Sequence, residues 1–102
     1  MSQNDRAVRH VTMRGKVQGC GFRVWTERRA LALGVEGWVR NRRDGTVEAV
    51  FAGSLAAVDA LIGDCRKGPP LSEVTAVEVR EGDGLLLGAK RGSEQFSLLP
   101  TV

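Results

Sequence analysis

The period of the apolar residues switches from strand-like to helix-like and back twice within 102 residues. That order limits the folds open to the chain. Val8–Arg14 alternates, with Val11 and Met13 on one side, and reads as a first strand. Phe22, Thr26, Ala30 and Leu33 then fall on one stripe of a helix over Phe22–Leu33, and Gly34 supplies a left-handed stop. Val35–Asn41 and Thr46–Ala52 read as two strands, the second alternating Val47, Ala49 and Phe51 against Glu48. Between them, Asp44-Gly45 is expected to supply the positive φ angles of a tight hairpin.

Ser54 can cap a second helix, in which Leu55, Val58, Leu61, Ile62 and Cys65 recur at helical spacing. Gly68-Pro69-Pro70 stops it, and Val74–Arg80 follows as a strand with Thr75, Val77 and Val79 alternating. Glu81–Glu94 shows no period and reads as an irregular, glycine-bearing connection, while Gln95–Leu99 fits a short last strand. The order is β-α-β-β-α-β, and both crossovers carry a helix. It implies an α+β domain of ferredoxin-like type: a mostly antiparallel sheet, two helices on one face, and room for a short fifth strand. Such a fold hosts many unrelated functions, so it decides none of them.

A chain of 11.0 kDa fits one domain, expected over residues 8–102 after a flexible tail at 1–7. A domain of this size buries roughly 60–70% of its unfolded surface, so a core forms without metal or disulfides. Cys20 and Cys65 make no CxxC pair, and with the single His10 they lack zinc spacing. These residues therefore build no metal site at any usual ligand count. Neither a signal peptide nor a membrane span is visible, so the expected compartment is the cytoplasm, with both thiols reduced.

The net charge of +3 hides an asymmetry: residues 1–43 hold ten Lys/Arg against Asp5, Glu27 and Glu36. A basic half attracts an anion, whether nucleic acid or something small and phosphorylated; it can equally be a solvated face without a partner.

The stretch that narrows the choice is Gly15-Lys16-Val17-Gln18-Gly19-Cys20-Gly21-Phe22-Arg23, which leaves a strand and enters a helix. Glycines let the backbone curl close to a ligand, with consecutive N–H groups turned into one concavity. The helix start adds unpaired donors and partial positive charge. Arg23 adds a planar, permanently charged fork suited to two phosphoryl oxygens. The GxxxxGK[ST] nucleotide loop is absent, and Gly19 and Gly21 lack the third glycine of a dinucleotide fingerprint. On spacing alone the loop is as readily a structural turn as an anion site. Asn41, at a strand end, can donate and accept hydrogen bonds and so orient a water, or it can simply form the turn.

Taken together, GKVQGCGFR at 15–23, Ala30, LGVEGWVRN at 33–41 and DGTVE at 44–48 closely resemble the acylphosphatase family. Gly53, Lys67-Gly68-Pro69 and Phe96 add to the match, which is strongest over residues 8–53. The resemblance implies hydrolysis of carboxyl-phosphate mixed anhydrides to a carboxylate and inorganic phosphate, on a ferredoxin-like fold, without metal or cofactor. It implies that Arg23 binds the phosphate, that Asn41 positions the attacking water, and that Gly15–Phe22 form a backbone cradle. The partners it implies are a small acyl phosphate as substrate and inorganic phosphate as product and inhibitor. We expect a monomer that binds neither nucleic acid nor membrane.

Cys20 stands where the family commonly has an aliphatic residue. A phosphatase with a cysteine nucleophile places its arginine further along the chain, so Cys20 reads as a small apolar filler. Trp25 and Trp38 read as core or partial core, and His10 receives no role. Two rival functions remain: an RNA-binding sheet, for which the run of strand aromatics is missing, and a non-catalytic regulatory or maturation module of the same family.

Overall fold

A computed structural model describes residues 5–102. Strand β1 (Arg6–Lys16) leads into helix α1 (Phe22–Leu33), and strands β2 (Glu36–Asn41) and β3 (Val47–Ser54) form a hairpin. Helix α2 (Leu55–Lys67) crosses to β4 (Glu73–Glu81), a 3₁₀ turn follows at Gly84–Ala89, and β5 (Phe96–Leu98) completes the sheet. The strand order is β4-β1-β3-β2-β5, antiparallel throughout except for the parallel pair β2–β5. This is the ferredoxin-like arrangement, with β5 as the fifth strand.

The expected tail at 1–7 is too long. Arg6 and Ala7 already pair with Ser54 and Gly53, and Ala7 is buried; residues 1–4 lie outside the described residues. The main core lies between the sheet and the two helices. Val11, Met13, Val39, Val47, Ala49 and Phe51 meet Phe22, Ala30, Val58, Leu61 and Cys65 there. Each large side chain fully buried in this way stabilises the fold by roughly 1.5–3 kcal/mol.

The opposite face of the sheet is also partly covered. Trp38, Val50 and Leu99 pack there against Val8, Leu86 and Leu87, and the Trp38 indole donates to the Leu86 carbonyl at 2.7 Å. The segment 81–94, which carries no period, thus folds as a 3₁₀ turn that lies across this face. It helps to bury Val50 on β3, the central strand, while Glu48 on the same strand is covered by His10, Arg40 and Arg42.

Two local expectations change. In the β2–β3 hairpin only Gly45 takes a positive φ, 93°, and no non-glycine does. The loop closes instead with Gly45 N–H donating to the Arg42 carbonyl at 3.1 Å and Arg42 N–H to the Thr46 carbonyl at 2.9 Å. Gly45 thus follows a turn rather than sitting inside a two-residue one. In β4 the alternation of Thr75, Val77 and Val79 is broken by a bulge, because Arg14 faces Ala76 while Gly15 faces Val74. Val74 and Val77 therefore share the core side; Val79, in regular alternation with Val77, is exposed. A Cβ at Gly15 would collide with the Glu73 carbonyl oxygen, so glycine is required for this close approach.

Candidate functional site

Between β1 and α1 the chain makes a loop that ends on Gly21, the N-cap of α1, in the left-handed conformation at φ 77°. Gly19 has a similar φ of 74°. These angles are cheap only for glycine, and they let N–H groups along the loop line one concavity. No side chain caps α1, and the first helical N–H with a partner is that of Trp25, which donates to the Gly21 carbonyl at 3.0 Å. Among the described residues, no acceptor meets the N–H groups of residues 17–24. Donors without protein partners are left to water or to a ligand that supplies the acceptor.

These groups border a cavity of about 140 Å³ lined by residues 17–19, residues 21–24 and Asn41. Pockets for drug-sized ligands are roughly 300–1,000 Å³, so this one suits a small polar group. The structure thus brings Val17, Gln18, Gly19, Gly21, Phe22, Arg23 and Asn41 together. Gly15, Lys16 and Cys20 do not line it. Gly15 and Lys16 belong to the β1–β4 ladder, and Cys20 is half-buried and packs against the main core.

Arg23, in the first turn of α1, is half-buried, and its Nη1 lies 3.4 Å from the Leu99 carbonyl oxygen. That weak bond leaves most of the guanidinium fork free. Phe22 anchors the same turn in the core, with Trp25 edge-on at 5.4 Å between ring centroids. Asn41 ends β2, and its side chain bonds to none of the described residues, while its carbonyl accepts from Val102 N–H at 3.1 Å. Arg43 N–H donates to the Val102 carbonyl at 2.7 Å. Residues 99–102 therefore brace both Arg23 and the hairpin. Sequence reasoning missed this, since Leu99-Pro100-Thr101-Val102 has no period to read.

The hairpin beside the cavity is tied down by carboxylates. Burial would push the Glu48 carboxyl up, but bonds from His10 (2.6 Å), Arg40 (2.7 Å) and Arg42 (3.1 Å) outweigh it and hold the group below the usual range. His10, which the sequence left without a role, belongs to this cluster. Asp44 is held low by the Thr46 hydroxyl and N–H, at 2.7 and 3.0 Å. Cys65 is buried in α2, and desolvation pushes its thiol up to about 12, which makes it inert. Among the described residues, no three His, Cys, Asp or Glu side chains gather to hold a metal ion. No helix of the described residues is long and apolar enough to cross a membrane.

Comparison with known proteins shows the family. A family model described as Acylphosphatase matches residues 9–85. An acylphosphatase of Bradyrhizobium diazoefficiens is 50% identical over 98 residues, covering 96% of this chain and 99% of its own. One from Nitrobacter winogradskyi is 54% identical over 95 residues, with 93% and 96% covered. The solved acylphosphatase of Coxiella burnetii superposes with a TM-score of 0.81 at 31% identity, over 97% of this chain and 100% of that one. The chain belongs to the acylphosphatase family and is a hydrolase of that type.

Proposed function

We propose that the open start of α1 and Arg23 bind the phosphoryl group of a small acyl phosphate, and that Asn41 places the attacking water. The observation that carries this reading is the run of unpartnered N–H groups at residues 17–24, which includes Arg23 and shares one small cavity with Asn41. Water attacks phosphorus, the bond from phosphorus to the acyl oxygen breaks, and the carboxylate leaves with the electron pair. The water's protons end on the phosphate. A carboxylate is a good leaving group, so the protein need only align water with the bond that breaks and stabilise charge on the equatorial oxygens. Both tasks fit fixed donors. The two free thiols suit a reducing, cytoplasmic setting, and every group named lies in one chain, so a monomer suffices.

The test separates the two halves of the site. Arg23 touches the phosphoryl oxygens in ground and transition states alike, so Arg23→Ala should weaken competitive inhibition by inorganic phosphate as well as turnover. The expected loss in transition-state stabilisation is on the order of 3 kcal/mol, or ~100-fold. Arg23→Lys should not rescue it, since a point charge does not reproduce the fork. Asn41→Ala should lower kcat strongly and leave the phosphate inhibition constant almost unchanged. Equal losses of phosphate affinity in the Arg23 and Asn41 variants would defeat this division of labour.

A further inference from the structure

We infer that the Gln18 side chain is a positioning residue, which fixes the phosphate-binding loop at a set distance from Asn41. This rests on the assignment of Arg23 and Asn41 given above and extends it to the contact between the two half-sites. The Gln18 amide nitrogen donates to the Arg42 carbonyl at 2.7 Å and to the Thr46 carbonyl at 2.8 Å. Those two residues flank the hairpin loop: Arg42 follows directly on Asn41, and Thr46 directly precedes β3. Each carbonyl already accepts one backbone bond, from Gly45 N–H and Arg42 N–H respectively. The amide takes their remaining acceptor capacity with both of its hydrogens. Among the described residues, no other side-chain hydrogen bond joins residues 17–21 to residues 41–46.

The placement matters because the half-sites have separate supports. Arg23 and the open N–H groups ride on α1, whereas Asn41 ends β2, with its carbonyl held by Val102 and the neighbouring Arg42 side chain held by Glu48. In-line attack demands that water and phosphorus meet within a few tenths of an ångström of the right geometry. A displacement of about 1 Å can cost ~100-fold in rate. Gln18 spans the gap whose width sets that distance. Its amide hydrogens are spent on the hairpin, so its share in phosphate binding is limited to its backbone N–H.

The experiment is a double-mutant cycle of Gln18→Leu with Asn41→Ala, reading kcat, KM and the inhibition constant for inorganic phosphate. Gln18→Leu alone should lower kcat about 10- to 100-fold with the phosphate constant nearly unchanged, and it should add almost nothing in the Asn41→Ala background. A folded Gln18→Leu protein with wild-type kcat, or losses that multiply in the double variant, would overturn the inference. So would parallel losses of kcat and phosphate affinity. Asn41→Ala alone reports on the underlying reading: if that variant keeps its kcat, the water-placing role fails, whatever Gln18 does. Gln18→Met, similar in length and flexible, takes the place of the leucine variant should circular dichroism show that one unfolded. Loss of fold in both would assign Gln18 to the fold and reject a positioning role.

Discussion

Helix α2 starts closed, with Ser54 Oγ accepting from Ala57 N–H at 3.1 Å, whereas α1 starts open, on a left-handed Gly21 with no side-chain cap. A capping hydroxyl is worth typically ~1 kcal/mol, so the open end gives up a stabilisation that the same chain takes one helix later. Neither first turn carries an acidic residue, although a helix start favours one. At α1 that omission suits the proposed site, in which a carboxylate would take the place given to a phosphoryl group. The polar groups at α2 and around Glu48 are satisfied by the protein itself, while those at α1 await an acceptor. The difference separates what holds this fold together from what it holds open.

The strongest way to break the comparison is to close α1. Gly21→Asp would offer the free N–H groups a carboxylate and set a negative charge beside Arg23. We expect kcat/KM and phosphate affinity each to fall on the order of 100-fold, comparable to loss of a principal oxyanion donor. Gly21→Ala is the control for backbone strain, because a Cβ at this position meets nothing within 4 Å, leaving the φ of 77° as the sole penalty. Inhibition by inorganic phosphate measures both variants. An aspartate variant that still binds phosphate normally would place the anion elsewhere.

Acid should act on the closed groups first. Glu48 has a folded pKa below its ordinary 4.5, so the folded state holds that proton more weakly than the unfolded one. Its contribution to stability is complete above that ordinary value and is lost as pH falls through the depressed one. Asp44 and Glu36, also held low, have the same sign. Thermal melts below about pH 4.5 should show Tm falling, and Glu48→Gln should flatten that limb. An acid limb unchanged by Glu48→Gln would remove this cluster from the account.

A smaller effect is expected at α2. Ser54→Ala leaves one helical N–H without its acceptor and should cost about 1 kcal/mol, a fall in Tm of roughly 4–8 °C for a domain of this size. Turnover and phosphate inhibition should not move, since Ser54 does not line the cavity. A change in kcat/KM in this variant would erase the contrast between the two helix starts.

How much of this was legible in the sequence depends on whether a feature is local. The bounds of α1, Phe22–Leu33, are those the apolar stripe and Gly34 set, because the stripe faces one core and Gly34 takes a φ of 73°. The open loop and Arg23 were legible for the same reason: glycine spacing and a charged first turn are local facts. The bulge opposite Gly15 was not, since it is a property of two strands paired across the sheet. Nor was the cover formed by segment 81–94, which has no period and is placed by Trp38 on another strand. Of the loop Gly15–Phe22, Gly15 and Lys16 lie in the β1–β4 ladder and not on the cavity, because sequence does not show where a ladder ends and a loop begins. Gln18 and His10 were seen, but their partners, Arg42, Thr46 and Glu48, come from the far side of the hairpin.

The least effect is expected at Cys20, which sits between the two open glycines and so tests whether the loop acts through backbone or side chain. Its thiol is half-buried and packs against the main core rather than lining the cavity. A nucleophilic cysteine needs a lowered pKa from a neighbouring cation or base, together with access to the substrate. Its placement keeps it off the cavity wall. Cys20→Val replaces a small apolar group by one of similar shape, a class of change that usually costs less than 1.5 kcal/mol. We expect kcat, KM and phosphate inhibition to stay near wild type, and a thiol-directed reagent to lose whatever effect its bulk had. A folded Cys20→Val protein that no longer turns over would give the loop a side-chain chemistry, and the open helix start would then be only part of the site.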